Sequence, residues 1–156
     1  MTTAAIAIQD IYEADYQTCY GCGTNNNDGM HLKSYWRDGK VVADYLPRNH
    51  EKGIEGFVYG GLIASLIDCH AIATAGAYRQ NEQSLTKVPR FVTGSLHVDY
   101  LKPTPLSDVP IHLQARVVET SERKSKVVVE LSVGDTLCAR GEVVAVRIPE
   151  TMQAKT

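Results

Sequence analysis

Alternation of apolar and polar residues is clearest between Val109 and Thr120. Apolar side chains occupy every second position there, at Val109, Ile111, Leu113, Ala115 and Val117. A period of two is typical of a strand with one buried face. Three more strands are predicted at Arg90 to Leu101, Ser125 to Val133 and Leu137 to Ile148, with a hairpin turn at Gly134-Asp135 between the last two.

The first half of the chain predicts a hairpin followed by one long helix. Strands are expected from His31 to Trp36 and from Lys40 to Leu46, joined by the turn Arg37-Asp38-Gly39. A loop from Pro47 to Tyr59 leads to a helix from about Gly60 to Ala77. Apolar residues occur on every side of that helix, so it must be enclosed. We therefore expect an α+β fold, a curved antiparallel sheet of about six strands wrapped around one central helix.

The chain of 156 residues suits one domain. Turn-forming residues fill 22–29, and we expect residues 1–18 to form a short, mobile helix. The prediction is an N-terminal extension at 1–29, one domain at 30–150 with a core that begins near Met30, and a tail at 151–156.

Charge and composition limit the partners of the protein. A formal net charge of −2 gives no field that would gather nucleic acid or an anionic membrane. The N-terminus lacks the basic region of a secretory signal, and the apolar helix is short for a membrane span and contains Asp68 and His70. We expect a cytoplasmic protein that binds neither nucleic acid nor a membrane.

Four cysteines occur, and only Cys19 and Cys22 form a pattern. The motif CYGCG has the spacing of half a zinc site, but no second pair of cysteines or histidines at that spacing follows it. A glycine-rich turn whose small thiols pack inward is the favoured alternative. We therefore expect neither a metal nor a cofactor.

Asp68 is the only formally charged residue between Gly56 and Tyr78. An ionised carboxylate in an apolar helix needs hydrogen-bond donors or a raised pKa. Both conditions suit a catalytic carboxylate, while the alternative is an Asp that only satisfies a neighbouring polar group. The start of the helix favours catalysis.

The helix begins at Tyr59-Gly60-Gly61, where N–H groups lack intrahelical partners and the glycines let a substrate come close. These donors and the helix dipole would stabilise an oxyanion, although a glycine pair can also serve tight packing. Gly60 and Asp68 lie about 12 Å apart along the axis, so one chain cannot bring both to one carbonyl. Two antiparallel helices across a two-fold axis can, which predicts a homodimer with two sites.

Three segments resemble the hot-dog-fold acyl-CoA thioesterases, in particular the branch of phenylacetic-acid-degradation-type and human thioesterase-superfamily-member proteins. YGGLIASLID is similar to a family pattern of His-Gly-Gly with an Asp nine residues after the His. VTGSLHVDYLKPTPL resembles the strand after the family's helix, and CYGCGTNNNDGMHL resembles its N-terminal Cys-x-x-Cys-Gly block. The resemblance covers about residues 19–148.

The resemblance implies a role for each matching residue. Gly60 would polarise the thioester carbonyl through its amide, Asp68 would act as general base or nucleophile, and Thr93 would hold the water. Ser95 lies two residues on, and alternation would place it on the same side of the strand as Thr93. Tyr59 stands where the family has its histidine, and its phenol can donate a hydrogen bond but does not titrate near neutral pH.

Gly61 and His50 complete the expected substrate-binding set, together with Tyr59 and Ser95. His50 lies in the loop before the helix and could supply a donor, whereas His70 and His97 are interpreted as structural. His70 points away from the Asp68 face because residues two apart on a helix do not share a side.

The sequence therefore predicts hydrolysis of an acyl-CoA or a related thioester at the interface of a homodimer. Pairing of dimers into tetramers stays open. A non-catalytic acyl-CoA-binding protein of the same fold is the alternative, and Tyr59 is the residue that favours it. A hydratase is disfavoured because Asp68-Cys69-His70 lacks the spacing of an Asp and His pair.

Overall fold

A six-stranded antiparallel sheet curves around one long helix in the computed structural model, which describes residues 5–153. The strands are β1 Tyr35–Arg37, β2 Lys40–Tyr45, β3 Phe91–Tyr100, β4 Ile111–Thr120, β5 Lys124–Val133 and β6 Thr136–Arg147, and the helix is α1 Gly60–Glu82. Their order in the sheet is β1-β2-β4-β5-β6-β3. The predicted α+β hot-dog architecture is confirmed.

Two tight turns fix the hairpins where the sequence predicted them. Asp38 and Gly39 join β1 to β2 with φ angles of 49° and 85°. Positive φ at both central positions is the requirement of the hairpin turn that an Asp-Gly step favours. Gly134, with φ of 55°, begins the turn between β5 and β6.

The core lies between α1 and the concave face of the sheet. Leu66 and Ile67 of α1 are fully buried, as are Leu113 of β4 and Val129 of β5. Close approach of α1 to the sheet depends on Gly141 in β6, because a Cβ there would overlap Ile67 Cγ2. The apolar stretch that resembles a membrane span is 67% buried inside the fold over its 18-residue window. It is the core helix, as predicted.

The helix continues past the predicted end at Ala77 to Glu82. Arg79 is buried, and its guanidinium donates to the backbone oxygen of Ser121 at 2.7 Å. Asn81 donates its side-chain amide to the Ala77 carbonyl at 2.8 Å. These polar residues indicated a helix end in the sequence, but contacts with the sheet and the preceding turn keep them helical.

The first strand is shorter than expected and begins at Tyr35 rather than His31. His31 has a φ of 58°, which interrupts extended backbone. The N–H of Ser34 donates to the Gln9 side chain at 2.8 Å instead of to a neighbouring strand.

Residues before Met30 contribute to the core. Two 3-10 turns, Ile8–Ile11 and Ala14–Tyr16, replace the single helix expected over residues 1–18, of which 1–4 lie outside the described part of the chain. Ile8 and Tyr12 are buried beside Val41. The packed core therefore starts well before Met30, because this segment covers an apolar surface that the helix and β2 leave open.

Candidate active site

Asp68 lies in the middle of α1 and is half-buried. Thr93 of β3 donates its hydroxyl hydrogen bond to Asp68 Oδ1. The two residues predicted to act together are therefore in direct contact, across the gap between the helix and the strand.

Burial raises the pKa of Asp68 above its ordinary value of 3.8. The hydrogen bond from Thr93 opposes this shift, and the nearby Cys19 adds to it. The pKa of Cys19 is itself lowered by hydrogen bonds from the thiols of Cys22 and Cys69. An Asp whose charged form is disfavoured in this way takes up a proton more readily than a solvated one, which suits a general base.

Ser95 does not share this position. The register of β3 on β6 shifts at Gly94, so that Thr93 is opposite Ala145 while Ser95 is opposite Val144. Ala145 is fully buried and faces the helix, so the expectation that Ser95 and Thr93 face the same side is wrong. A β-bulge inserts one extra residue and reverses the alternation that follows.

The start of α1 presents N–H groups that make no intrahelical bond. Leu62 and Ile63 donate to the Tyr59 carbonyl at 3.1 and 3.3 Å, which leaves the amides of Gly60 and Gly61 without a hydrogen bond among residues 5–153. Tyr100 of β3 donates its phenol hydrogen to the Gly60 carbonyl at 2.8 Å. The helix N-terminus is thus held against the same strand that carries Thr93.

Two cavities flank this helix N-terminus. One, of about 360 Å³, is lined by apolar residues around Gly60 and Tyr100, including Ile54, Phe57, Val58 and Ile63. The other, of about 450 Å³, is lined by His50, Tyr59 and Gly61, which are three of the predicted substrate-binding residues. Lys52 and Glu51 make this second cavity more polar than the first.

Comparisons with known proteins address the family of the chain. The family model of the thioesterase superfamily matches residues 55–139. A solved structure of a thioesterase superfamily protein from Shewanella loihica PV-4 is 43% identical, with a TM-score of 0.68, and the match covers 88% of this chain and 100% of that one. The chain belongs to the thioesterase superfamily.

More distant solved structures share the fold. The PaaI protein of the E. coli phenylacetic acid degradation operon is 14% identical with a TM-score of 0.65, over 77% of this chain and 81% of that one. A phenylacetic acid degradation-related protein from Ralstonia eutropha JMP134 is 19% identical with a TM-score of 0.62, over 75% and 85% of the two chains. No curated protein sequence matches the chain significantly.

Tyr59 of this thioesterase-superfamily chain lies against Gly61. A Cβ at Gly61 would overlap the Tyr59 ring, whose hydroxyl would then be 2.8 Å from it. The Tyr59 side chain is 57% exposed and caps no backbone group of α1. The absence of a side chain at Gly61 therefore makes room for the large Tyr59 ring.

His70 and His97 lie outside the site, as interpreted from the sequence. His70 is fully buried between Ser34 Oγ at 2.9 Å and the Val41 carbonyl at 3.0 Å. Burial lowers its pKa to about 4, with smaller effects from the Val41 hydrogen bond and from His112. Exposed His97 pairs with Asp99 on the outer face of β3.

Tyr100 is the site residue that sequence reasoning missed. Its phenol donates to the carbonyl of Gly60, which is forty residues away in sequence. The sequence signal was the spacing of four residues between Leu96 and Tyr100, which places both on one face of β3. That face points toward the helix, because Leu96 and Tyr100 lie opposite Val143 and Ala139. Both partners are fully buried core residues.

Proposed function

We propose that the protein hydrolyses an acyl-CoA or a related acyl thioester, with Asp68 as the catalytic carboxylate. The observation that carries this proposal is the Asp68 and Thr93 pair, a half-buried carboxylate with a raised pKa and a hydroxyl donor, in a chain of the thioesterase superfamily. This pair supports general acid–base or nucleophilic catalysis by a residue in the middle of α1.

In the general-base route Asp68 takes a proton from water, and the hydroxide oxygen forms a bond to the thioester carbon. The carbonyl oxygen becomes an oxyanion that the Gly60 amide and the positive end of the α1 dipole stabilise. Collapse breaks the carbon–sulfur bond, and the thiolate leaves and takes up the proton that Asp68 holds. In the nucleophilic route the Asp68 carboxylate attacks the thioester carbon, the carbon–sulfur bond breaks and the thiolate leaves, and water then hydrolyses the resulting anhydride to the free acid and the Asp68 carboxylate.

Edge strand β3 supports a dimer as part of this proposal. It pairs with β6 on one side and lies at the end of the sheet on the other. Leu96 and Tyr100 are 39% and 54% exposed on it. A long edge with exposed apolar residues is a template for strand pairing, and pairing two β3 strands about a two-fold axis would put the α1 helices side by side. Gly60 of one protomer would then approach Asp68 of its partner.

The two cavities indicate how a thioester would lie in such a site. The apolar cavity beside Gly60, bordered by Phe57 and Ile63, suits an acyl chain. The cavity beside Tyr59 carries polar and charged side chains such as His50 and Lys52, which suit the amide-rich pantetheine arm. Gly60 lines the first cavity and its neighbours Tyr59 and Gly61 line the second, so the thioester carbonyl would lie beside the Gly60 amide, between the two.

The proposal is tested by hydrolysis of a thioester panel that varies the acyl group from acetyl to long-chain and aromatic. We expect wild-type turnover of at least one class, and a loss of about 10² or more in kcat for Asp68→Asn. Asp99→Asn is the matched control, because Asp99 is an exposed carboxylate on the outer face of β3 that bonds His97. Equal turnover by wild type and Asp68→Asn would remove Asp68 from the mechanism.

Non-catalytic acyl-CoA binding is the second candidate, and the exposed Tyr59 in place of the family's histidine favours it. It predicts saturable binding of acyl-CoA by calorimetry without turnover by the wild type on any member of the panel. Restoring hydrolysis by Tyr59→His would then show that this position had silenced the site.

A further inference from the structure

Three cysteines distant in sequence meet beside α1. The sulfur atoms of Cys19, Cys22 and Cys69 all lie within 4.8 Å of one another, and Cys19 Sγ is 3.9 Å from Cys69 Sγ. Cys22 is buried, and the other two are half-buried. Cys69 comes from the helix, so the third thiol lies 47 residues beyond the Cys-x-x-Cys motif, at no spacing that a sequence pattern would recognise. We call this group the thiol cluster.

The two glycines of the motif, Gly21 and Gly23, leave space for different neighbours. A Cβ at Gly21 would overlap Cys69 Sγ and lie 3.9 Å from Cys19 Sγ. A Cβ at Gly23 would overlap backbone atoms of Gln17 and Cys19, so that glycine lets the turn close, with its N–H donating to the Cys19 carbonyl at 2.8 Å. A turn that only packs its thiols inward needs the glycine at position 23 to close, but it does not need one at position 21. The absence of a side chain at Gly21 is what allows the helix thiol to reach the other two.

We propose that the thiol cluster is a zinc site with Cys19, Cys22 and Cys69 as ligands. Zinc–sulfur bonds of about 2.3 Å in tetrahedral geometry hold the sulfur atoms about 3.8 Å apart, and the separation of 3.9 Å between Cys19 Sγ and Cys69 Sγ fits this. Binding releases the thiol protons and forms three zinc–sulfur bonds, with no change of oxidation state. Cys22 Sγ lies within 4.8 Å of the other two sulfur atoms, so a shift of about an ångström at most would complete the set.

Positive charge beside the thiol cluster suits the negative charge that three thiolates and one zinc ion carry. The guanidinium of Arg90 lies near enough for its charge to act on Cys22, and it stacks on the Tyr12 ring at 4.2 Å. Arg90 Nε is buried and makes no hydrogen bond with the described residues. A guanidinium held beside the thiol cluster offsets part of the excess negative charge of the site.

The site has three protein ligands, since no fourth thiol, imidazole or carboxylate of the described residues joins the group. Water takes the fourth position, as in other zinc sites with three protein ligands. The ion would tie the N-terminal turn to α1 one residue from Asp68, and it would fix the helix surface on which that carboxylate is placed. It takes no part in the hydrolysis proposed above.

Cobalt titration tests the proposal with the complete chain. The protein is stripped with a chelator, kept reduced with a phosphine under anaerobic conditions, and titrated with Co²⁺. We expect one equivalent per chain, with thiolate-to-cobalt charge-transfer absorption and the intense visible bands of tetrahedral cobalt, and bleaching of both by Zn²⁺. Cys69→Ser should lose the charge-transfer band, while Cys138→Ser, a buried thiol outside the cluster, should keep it.

Two further variants separate the site from folding and from catalysis. Gly21→Ala keeps all three thiols but should weaken zinc affinity about tenfold or more, because its Cβ displaces Cys69 Sγ. Asp68→Asn should bind cobalt as the wild type does, whether or not it hydrolyses thioesters. Absence of the charge-transfer band in reduced wild type, an equal band in Cys69→Ser, or binding of Cu⁺ but neither Co²⁺ nor Zn²⁺ would each overturn the zinc assignment.

Discussion

Two neighbours act on Asp68 in opposite directions. Its position against apolar residues of α1 disfavours the ionised carboxylate, while the Thr93 hydroxyl stabilises it through a hydrogen bond. Burial is the larger of the two effects, so the pKa stays above its ordinary value. The Thr93 hydrogen bond therefore increases the fraction of Asp68 that is ionised at a given pH.

Thr93→Val should shift the acidic limb of the pH profile to higher pH. Valine has nearly the same shape as threonine but no hydroxyl, so the pKa of Asp68 rises further when the donor is lost. We expect kcat/KM of Thr93→Val to begin its fall on acidification at a higher pH than that of the wild type, while Thr93→Ser keeps the wild-type profile. The measurement is kcat/KM against pH for the three proteins. An unchanged limb in Thr93→Val would show that the hydroxyl does not act through the carboxylate.

The elements of the fold were predictable where their signals are local. Asp38-Gly39 and the turn at Gly134 act through residues next to each other in sequence, and both hairpins form where expected. The bulge at Gly94 depends on the register of β3 against β6, and no pattern in the neighbouring sequence predicts it. It decides that Thr93, and not Ser95, faces Asp68, so a site argument from strand alternation was only half right.

Gly141 of β6 lies so close to α1 that it leaves no room for a side chain. Gly141→Ala should destabilise the protein by about 1–3 kcal/mol, because its Cβ overlaps Ile67 Cγ2 and lies 3.4 Å from Ile67 Cδ1. Ile67→Leu moves the branch away from Cβ and should recover part of the loss. Urea unfolding of the four proteins of this double-mutant cycle measures the coupling. Additive free energies would contradict a direct clash.

At the scale of the whole molecule, the sequence predicted individual residues of the site but not the contacts that distant segments make around them. Asp68 and Gly60 stand out because they break or begin an apolar helix, which is a property of the sequence alone. The meeting of Cys69 with Cys19 and Cys22 depends on how the N-terminal turn docks on α1. The same docking brings buried Gln9 to Ser34, where its side-chain amide donates to Ser34 Oγ at 3.0 Å. Contacts between distant segments of this kind have no pattern by which a sequence predicts them.

His70 ties this docked segment to the helix and should make the whole fold sensitive to acid. Its Nδ1 accepts from Ser34 Oγ and its Nε2–H donates to the Val41 carbonyl, so both partners suit the neutral ring. Because burial lowers its pKa from 6.5 to about 4, the unfolded chain binds more protons than the folded one between these values. The contribution of the neutral His70 ring to the free energy of unfolding is therefore fully present above pH 6.5. About 3 kcal/mol of it is lost as the pH falls to 4.

Urea unfolding free energies at pH 7 and pH 4 measure this loss, and two variants separate it from the titration of carboxylates. His70→Gln offers a donor and an acceptor but does not titrate, so its loss on acidification should be smaller than that of the wild type by the amount that His70 contributes. His97→Gln removes an exposed histidine and should lose as much as the wild type. If His70→Gln and the wild type lose the same free energy between pH 7 and pH 4, the buried ring is not the group that makes the fold sensitive to acid.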